Sequence, residues 1–177
     1  MIHVMDRRAA IADAAIDVIA DSGLRALTHR KLDDALTLPA GSTSYYFRSK
    51  ADLFAAVIAR ITETSRAEFT HLSTIEGDPV EVTVRYLDHL VTERAAQLRA
   101  RHVLMLDPTV SDADRAALAG SLFSGPGAVE LFGDAEVGAG YIALCEGLVT
   151  SALGARAART EMFRAPVVTY LKGAGKL

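Results

Sequence analysis

The amino-acid sequence predicts an all-α protein with a small N-terminal head of three helices and a larger helical body. Apolar residues recur at helical spacing through most of the chain, and no stretch alternates apolar and polar residues as a half-buried strand would. The 177 residues are enough for a small head on a larger body. Half of them are hydrophobic and 23% are charged, which is typical of a folded globular protein.

The first helix is predicted over residues 7–22, because apolar residues recur there at the spacing of one helix face. That face is formed by Ile11, Ala15, Val18 and Ile19. Asp13, Asp17 and Asp21 on the opposite face are interpreted as a solvated surface rather than as a metal-binding stripe. Gly23 follows at the position where a left-handed residue ends many helices, so the helix is expected to stop there.

Two short helices are predicted next. The second begins at Thr28, whose hydroxyl suits the N-cap position, and ends near residue 36. Pro39 has no backbone N–H to donate, so it fits only a turn or the first turn of a helix. The third helix is predicted over residues 40–46.

The fourth helix is predicted over residues 50–72, and Ser49 with Asp52 forms a Ser-x-x-Asp capping box at its start. This helix is expected to connect two domains. The predicted domains are a helix-turn-helix head over residues 1–49 and a helical ligand-binding and dimerisation body over residues 50–177.

Glycine and proline divide the rest of the body into further helices. A long amphipathic helix is predicted over residues 80–106 with a break near Arg101, and Ser111 is predicted to cap a helix that runs to about residue 123. The remaining predicted segments are a glycine-rich loop around 124–127, a helical part near 128–132, and apolar helices over 137–153 and 160–171.

Composition excludes several classes of protein. No apolar run approaches the roughly 20 residues that a membrane span requires, and the N-terminus does not resemble a signal peptide. Cys145 is the single cysteine, so no intrachain disulfide is expected and the cytoplasm is the expected location. No spacing indicates a metal site, and neither a metal nor a cofactor is expected.

The charge is unevenly divided along the chain. Residues 1–60 carry eight basic and seven acidic side chains, whereas residues 61–177 carry eleven basic and fifteen acidic ones. A protein that binds nucleic acid through bulk charge would be far more basic. Any DNA binding is therefore expected to depend on shape and on a few placed contacts.

Residues 27–50 indicate a function. Two short helices, a tight turn, an aromatic pair and a new helix start follow one another there, which is the layout of a helix-turn-helix that places one helix in the DNA major groove. The exposed positions of the third helix hold small residues, and the methyl group of Ala40 or Thr43 suits contact with a thymine methyl. Arg30 is the best candidate for a bidentate contact to a base edge.

Four other side chains suit contacts to phosphates, with Lys50 assisted by a helix N-terminus. They are Thr28, Tyr45, Tyr46 and Lys50. Each also has an ordinary structural explanation, since tyrosines at a helix end often pack in a core, a lysine can merely keep a surface soluble, and Thr28 can simply cap its helix. Their mutually consistent positions in one short block favour the DNA-binding interpretation.

Residues 7–61 resemble the DNA-binding head of the tetracycline-repressor (TetR) family of bacterial transcription regulators. The resemblance rests on Leu-Thr-His-Arg-Lys-Leu at 27–32, Ser-Thr-Ser-Tyr-Tyr-Phe at 42–47 and Lys-Ala-Asp-Leu at 50–53. It implies a homodimer of mostly nine or ten helices per chain, in which the heads are similar between members and the bodies diverge and bind different ligands.

The resemblance also implies roles for individual residues. Arg30, Ala40, Gly41 and Ser42 would face the groove, and Thr28, Tyr45, Tyr46 and Lys50 would face phosphates. Two positions depart from the family pattern. Thr37 stands where members often have glycine in the turn, and Ser44, also a DNA-binding candidate, stands where they often have an aromatic residue.

A ligand site is expected in the body, between the 80–106 helix and its neighbours, for a small apolar or amphipathic molecule. The candidates by residue type are Tyr86, His89, His102, Met105, Phe123, Tyr141 and Glu146. His89 and Glu93 lie one turn apart and are interpreted as a surface pair rather than a metal site. Glu146 has two interpretations, a ligand-facing group or a residue paired with Arg156 or Arg159 at a dimer interface.

The last two predicted helices are expected to form that dimer interface, because they carry more apolar surface than one face of a monomer needs. A two-fold four-helix bundle would bury this surface. The candidate interface residues are Ile142, Leu148, Val149, Ala152, Leu153 and Met162. The alternative is that the 137–153 helix lies at the centre of the monomer core.

These observations predict a transcriptional regulator, expected to be a repressor, that binds a palindromic operator as a homodimer and is released by a small molecule. Its expected partners are double-stranded DNA, a second copy and an unidentified ligand, with no membrane. A helical interaction module with weak or lost DNA binding is the alternative, favoured by the small residues of the third helix. An enzyme is not expected, since the sequence contains no Gly-rich phosphate loop, nucleophile elbow or metal-ligand spacing.

Overall fold

The computed structural model describes residues 4–153 and 159–177. These residues form ten α-helices and one short 3₁₀ helix, Leu24–Ala26, and none of them lies in a strand, so the all-α prediction is confirmed. In chain order the α-helices are α1 (Val4–Ser22), α2 (His29–Ala35), α3 (Ser42–Tyr46), α4 (Lys50–Glu76), α5 (Pro79–Val91), α6 (Ala95–Leu106), α7 (Asp112–Ala119), α8 (Gly125–Phe132), α9 (Ala135–Ala152) and α10 (Arg159–Gly173). Within the described ranges, no helix combines the length and apolarity that crossing a bilayer requires.

The contacts of the chain divide it into two compact units. The first takes the chain up to Thr64 together with Ala96–Ser121, and the second takes Ser65–Ala95 together with the chain from Leu122 onward. Helix α4 therefore contributes residues to both units. The predicted functional domains, 1–49 and 50–177, stay a prediction, because the compact units are defined by contacts and not by function.

The first unit begins with helix boundaries that local side chains fix. Gly23 ends α1 with a φ of 75°. Thr28 Oγ1 accepts a hydrogen bond from the Lys31 backbone N–H at 3.1 Å, which confirms the predicted N-cap of α2. At the start of α4, Ser49 Oγ accepts from Asp52 N at 3.0 Å and Asp52 Oδ2 accepts from Ser49 N at 3.1 Å, so the capping box is also confirmed. The fully buried core of this unit includes Ile11, Ile19, Leu32, Phe47, Ile61, Leu98, Leu104 and Leu118.

Helix boundaries between α5 and α9 differ from the prediction. The break in the predicted 80–106 helix lies at residues 92–94 and not near Arg101. Arg101 is buried inside α6 and donates from Nε to the Leu118 carbonyl at 2.9 Å, so it joins α6 to the end of α7. The loop expected around 124–127 is helical, because Ser124 accepts a hydrogen bond from Gly127 N as the N-cap of α8. Pro126 lies in the first turn of α8, where backbone N–H groups have no acceptor within the helix. Its missing N–H therefore costs the helix no hydrogen bond.

The second unit packs α5, α8, α9 and α10 together. Gly138 of α9 allows the close approach of α8, because a Cβ at this position would lie 3.1 Å from the carbonyl carbon of Ala128. Helices α5 and α10 are further joined by the ion pair of Glu81 and Arg164, with Nη1 2.6 Å from Oε1. The largest buried side chains of this unit include Tyr86, Leu87, Leu90 and Phe163.

Candidate nucleic-acid interface and ligand cavity

The N-terminal end of α3 is held by a buried carboxylate on α2. Asp33, 3% exposed, accepts hydrogen bonds from Gly41 N at 2.8 Å, Thr43 N at 2.8 Å and Thr43 Oγ1 at 2.6 Å. These bonds, the Thr43 hydroxyl first among them, lower the pKa of Asp33. Sequence reasoning missed this residue, because Asp33 and Asp34 are adjacent and nothing in the pattern tells which of them faces α3.

Two side chains bind the C-terminal end of α3. The His29 Nε2 atom lies 2.8 Å from the Phe47 carbonyl oxygen, and Arg8 Nη1 donates to the Tyr46 carbonyl at 2.5 Å. The Arg8 guanidinium also lies over the Phe47 ring, 4.2 Å from its centroid. Helix α3 has only five residues, so these contacts at both ends define its position relative to α2.

The turn between α2 and α3 contains a strained residue. Thr37 adopts a φ of 53°, in the left-handed region that glycine occupies without steric cost. The hydrogen bonds from Leu38 N to Asp33 O at 2.8 Å and from Thr37 N to Asp34 O at 3.2 Å close the end of α2 around it. The chain thus builds the turn without the glycine that is frequent at this position, at the expense of backbone strain in a β-branched residue.

The predicted DNA-binding residues lie on one segment, from the N-cap of α2 to the start of α4. Seven of them are exposed, namely Thr28, Arg30, Ala40, Gly41, Ser44, Tyr45 and Lys50, and Ser42 and Tyr46 are half-buried. Tyr45 is 79% exposed and packs edge-to-face on Tyr46 with 5.4 Å between ring centroids. The expected contact of the Thr43 methyl with thymine is wrong, because Thr43 is fully buried and hydrogen-bonded to Asp33.

The hydroxyl groups of α3 are already engaged with the backbone. Ser42 Oγ donates to the Pro39 carbonyl at 2.6 Å, and Ser44 Oγ donates to the Gly41 carbonyl at 2.8 Å. In this arrangement the serine oxygens present acceptor lone pairs outward, and Ala40 presents a methyl group. Among the described residues of α3, no long polar side chain is available for a bidentate base contact.

A cavity of about 400 Å³ lies within the second unit. Its lining is mainly apolar and aromatic, which is typical of a small-molecule site. The lining residues are Arg66, Phe69, Thr70, Ser73, Gly77, Pro79, Val82, Thr83, Leu122, Phe123, Ser124, Gly127, Ala128, Leu131, Tyr141 and Ile142. Phe123 and Tyr141 were predicted ligand-binding residues, whereas Ile142 was assigned to the dimer interface.

The other predicted ligand residues do not line this cavity. Tyr86 supports it from behind, because its ring packs edge-to-face on Phe69 and Phe123 and its hydroxyl donates to the Leu122 carbonyl at 2.6 Å. His102 and Met105 belong to the first unit and are not among the lining residues, and their role in ligand binding stays a prediction. His89 and Glu146 are also absent from the lining, and ligand binding by either stays a prediction.

His89 belongs instead to a polar cluster beside the cavity's helices. Its Nδ1 atom lies 2.5 Å from Glu68 Oε1, and Glu68 Oε2 accepts from Arg94 at 2.9 Å. Arg94, 7% exposed, also donates to Ser65 Oγ at 2.7 Å. This cluster joins α4 to the segment after α5, and the predicted surface pair of His89 with Glu93 is replaced by the pair with Glu68. In the part of the chain that the structure describes, no three metal-ligating side chains cluster.

Cys145 and Glu146 occupy different environments on α9. Cys145 is buried, and this burial raises the pKa of its thiol to about 12, so the thiol stays protonated at neutral pH. The Glu146 side chain is half-buried. Its predicted pairing with Arg156 or Arg159 lies outside the described side chains.

Part of the predicted dimer interface is buried inside the monomer. Val149 and Ala152 are fully buried, so they belong to the monomer core and their assignment to an interface is wrong. Ile142, Leu148 and Leu153 are half-buried, and Met162 is 37% exposed. On α9, small exposed residues recur at four-residue spacing, Ala139, Ala143, Gly147 and Ser151, and α10 exposes Glu161, Met162, Ala165, Thr169, Lys172 and Gly173.

The first unit defines the class of this protein. A short helix that is fixed at both ends beside a second short helix, with an exposed surface of methyl, hydroxyl and basic groups, is a helix-turn-helix of the DNA-binding type. The sequence of this segment agrees with that geometry. Residues 11–57 match the family profile described as bacterial regulatory proteins, tetR family.

Solved structures extend the similarity of fold to the body. A transcriptional regulator, SCO7518 from Streptomyces coelicolor A3(2), is 22% identical with a TM-score of 0.70, over 94% of this chain and 96% of that one. The multidrug binding protein EbrR complexed with ethidium is 22% identical with a TM-score of 0.69, over 93% and 98%. The regulator RHA1_ro04179 from Rhodococcus sp. Rha1 is 20% identical with a TM-score of 0.70, over 94% and 96%. A search among curated proteins found no sequence that matches the chain.

Proposed function

We propose that this chain is a ligand-responsive repressor that binds a palindromic operator as a homodimer and is released by a small molecule. The observation that carries the proposal is the geometry of α3, whose two ends are held by Asp33, His29 and Arg8 while its exposed face remains available. A five-residue helix needs such support, because it has too few internal hydrogen bonds to keep its position alone.

The exposed residues of the head fit distinct roles in this complex. Arg30, near the start of α2, is the long side chain best suited to a base edge, and Ala40 suits a thymine methyl. Tyr45 and Lys50 suit phosphates on either side of the groove, with Lys50 in the first turn of α4. Because α3 itself exposes only short side chains, Arg30 is expected to provide most of the discrimination between bases.

Operator selection tests this proposal. The purified chain is incubated with randomised duplex DNA at fixed ionic strength, and the bound fraction is sequenced. We expect a palindrome for the native chain and its loss in Arg30→Ala. The matched control is Arg99→Ala, because Arg99 is also exposed in the first unit but lies 4.0 Å from Asp21 on the acidic face of α1. No enriched sequence at low salt would overturn the proposal in favour of a protein-interaction module.

A two-fold pairing through α9 and α10 would give the homodimer. The exposed faces of both helices include alanine, glycine, serine and threonine, whose small size permits two helices to approach closely, although α10 also exposes Glu161, Met162 and Lys172. A palindromic operator requires two heads at a defined spacing, and a helix bundle supplies a rigid connection between two copies.

The cavity of the second unit is the proposed ligand site. Its volume of about 400 Å³ lies in the range of known small-molecule pockets. EbrR, which shares the fold, is a multidrug binding protein seen with ethidium, and this supports a ligand role for the corresponding unit here. Helix α4 contributes Thr70 and Ser73 to the cavity and its first residues to the first unit, so it is the proposed lever by which ligand shifts the population of DNA-binding conformations.

A further inference from the structure

The charge on the described lining of the cavity in the second unit is positive. Arg66 is the one charged residue among its described lining residues, and none of those residues carries a carboxylate. The Arg66 side chain is half-buried, and Nη2 lies 3.4 Å from the Phe123 carbonyl oxygen. The second unit, residues 65–95 and 122–177, carries eight basic and eleven acidic side chains, so the charge on the cavity wall is opposite in sign to the net charge of its unit.

One carboxylate beside the lining residues caps a helix. Asp78 stands between two lining residues, but its Oδ1 atom accepts from Val80 N at 2.8 Å as the N-cap of α5. The α8 N-terminus, by contrast, adds to the positive potential of the wall, because Ser124 and Gly127 of its first turn line the cavity.

The uncharged polar groups of the wall include a buried hydroxyl pair. Thr83 Oγ1 and Tyr141 OH lie 2.7 Å apart, so one hydroxyl donates a hydrogen bond to the other. The hydroxyl that accepts this bond still has its own proton to donate. Burial raises the pKa of Tyr141, so the phenol remains a neutral donor at physiological pH. The wall therefore provides a cation and hydroxyl donors on a background of aromatic and aliphatic side chains.

From this chemistry we infer that the ligand is an amphipathic anion, an aromatic or alicyclic carboxylate whose ring occupies the apolar part of the cavity and whose carboxylate pairs with Arg66. The inference rests on the proposed function. A carboxylate offers the guanidinium a bidentate, charge-assisted partner, whereas a cationic ligand would meet a like charge there. Aromatic faces at Phe69 and Phe123 favour a cation by a smaller amount, so the Arg66 charge is expected to dominate. The predicted preference is thus opposite to that of a site for ethidium, which is a cation.

Three probes of one shape test the inference on the full chain. They are 2-naphthoate, 2-naphthamide and 2-naphthylmethylammonium, and their affinities are measured by isothermal titration calorimetry. We expect the carboxylate to bind at least about tenfold more tightly than the amide, with the ammonium weakest. The same naphthoate concentration should release the operator in a fluorescence anisotropy assay.

Two variants assign the preference to Arg66. In Arg66→Gln the carboxylate should bind no better than the amide, and Arg66→Lys should retain part of the difference because the charge remains. Arg85→Gln is the matched control, since Arg85 is an exposed arginine of α5 that does not line the cavity. Its carboxylate preference should equal that of the native chain.

The outcomes separate the inference from the proposed function. Equal affinities for the three probes, or tighter binding of the ammonium, would overturn the anionic ligand and leave the regulator intact. Failure of all three to bind a chain that still binds its operator would also overturn the inference alone. A chain that selects no operator would overturn the proposed function instead. The native-chain comparison of carboxylate with amide decides the matter even if Arg66→Gln does not fold.

Discussion

The α2–α3 segment of the first unit and the four-helix part of the second unit are held together in different ways. Helix α3 has five residues and is positioned by bonds from polar side chains to its backbone, from Asp33 at one end and from His29 and Arg8 at the other. Helix α9 has eighteen residues and packs through apolar side chains and the close contact at Gly138. Directed hydrogen bonds specify position within tenths of an ångström, which base contacts require.

Apolar packing specifies the position of a helix less strictly, and the second unit contains a cavity among its packed helices. A DNA-reading surface must be the same in every complex, whereas a ligand site must accommodate a bound molecule and transmit its effect. The difference suggests that polar substitutions in the first unit affect DNA affinity strongly, while the second unit responds mainly to changes of size and charge.

The largest effect is expected at Asp33. Replacement by alanine leaves the N–H groups of Gly41 and Thr43 without their acceptor, so α3 loses its defined position. Operator affinity should fall by roughly a hundredfold, measured by fluorescence anisotropy. The control is Asp34→Ala, an exposed neighbour that should stay close to the native affinity. Equal losses in both variants would show that Asp33 has no special role.

The second effect concerns the dimer. Ala143→Arg places a long charged side chain on the exposed small-residue face of α9, and we expect it to convert the dimer to a monomer in sedimentation equilibrium. Ala116→Arg changes an exposed alanine of α7 in the same way and should leave the dimer unchanged. A dimeric Ala143→Arg protein would place the interface elsewhere.

A third effect is the pH dependence of stability. Hydrogen bonds from Thr43 lower the pKa of Asp33, so its stabilising contribution is present above the ordinary aspartate value of about 4 and is lost as the pH falls through the lower folded value. The native chain should therefore lose more stability toward urea than Asp33→Asn when the pH falls from about 5 to about 2. Parallel acid profiles for the two proteins would contradict this.

The smallest effect is expected at the turn. Thr37→Gly removes the strain of a β-branched residue at a φ of 53°, and we expect a gain of about 1 kcal/mol in the free energy of unfolding. Thr74→Gly is the control, because Thr74 is exposed within α4, where glycine should cost about 1 kcal/mol. A loss of stability in Thr37→Gly would mean that the threonine side chain compensates for its strain.

Local signals in the sequence were sufficient for most of the helices and for three of their caps. Thr28, Ser49 and Ser111 each cap the predicted helix, because a cap depends on residues only three positions apart. The break after α5 was placed wrongly, since Arg101 suggested an interruption but is instead satisfied by the Leu118 carbonyl of another helix. The family resemblance of the head was likewise present in the order of residues 27–53 and was confirmed.

The periodicity along the chain was thus enough to predict an all-α protein, and the order of residues 27–53 was enough to predict a tetR-family head, since periodicity, capping and motif order are all local properties. Tertiary contacts were needed to choose Asp33 over Asp34, to bury Val149 in the monomer core and to bring Arg66 and Tyr141 to one cavity. The physical reason is that these outcomes depend on which helix faces meet across long sequence separations. Those pairings are settled by packing and by the need to satisfy buried polar groups, and neither leaves a mark at short spacing in the chain.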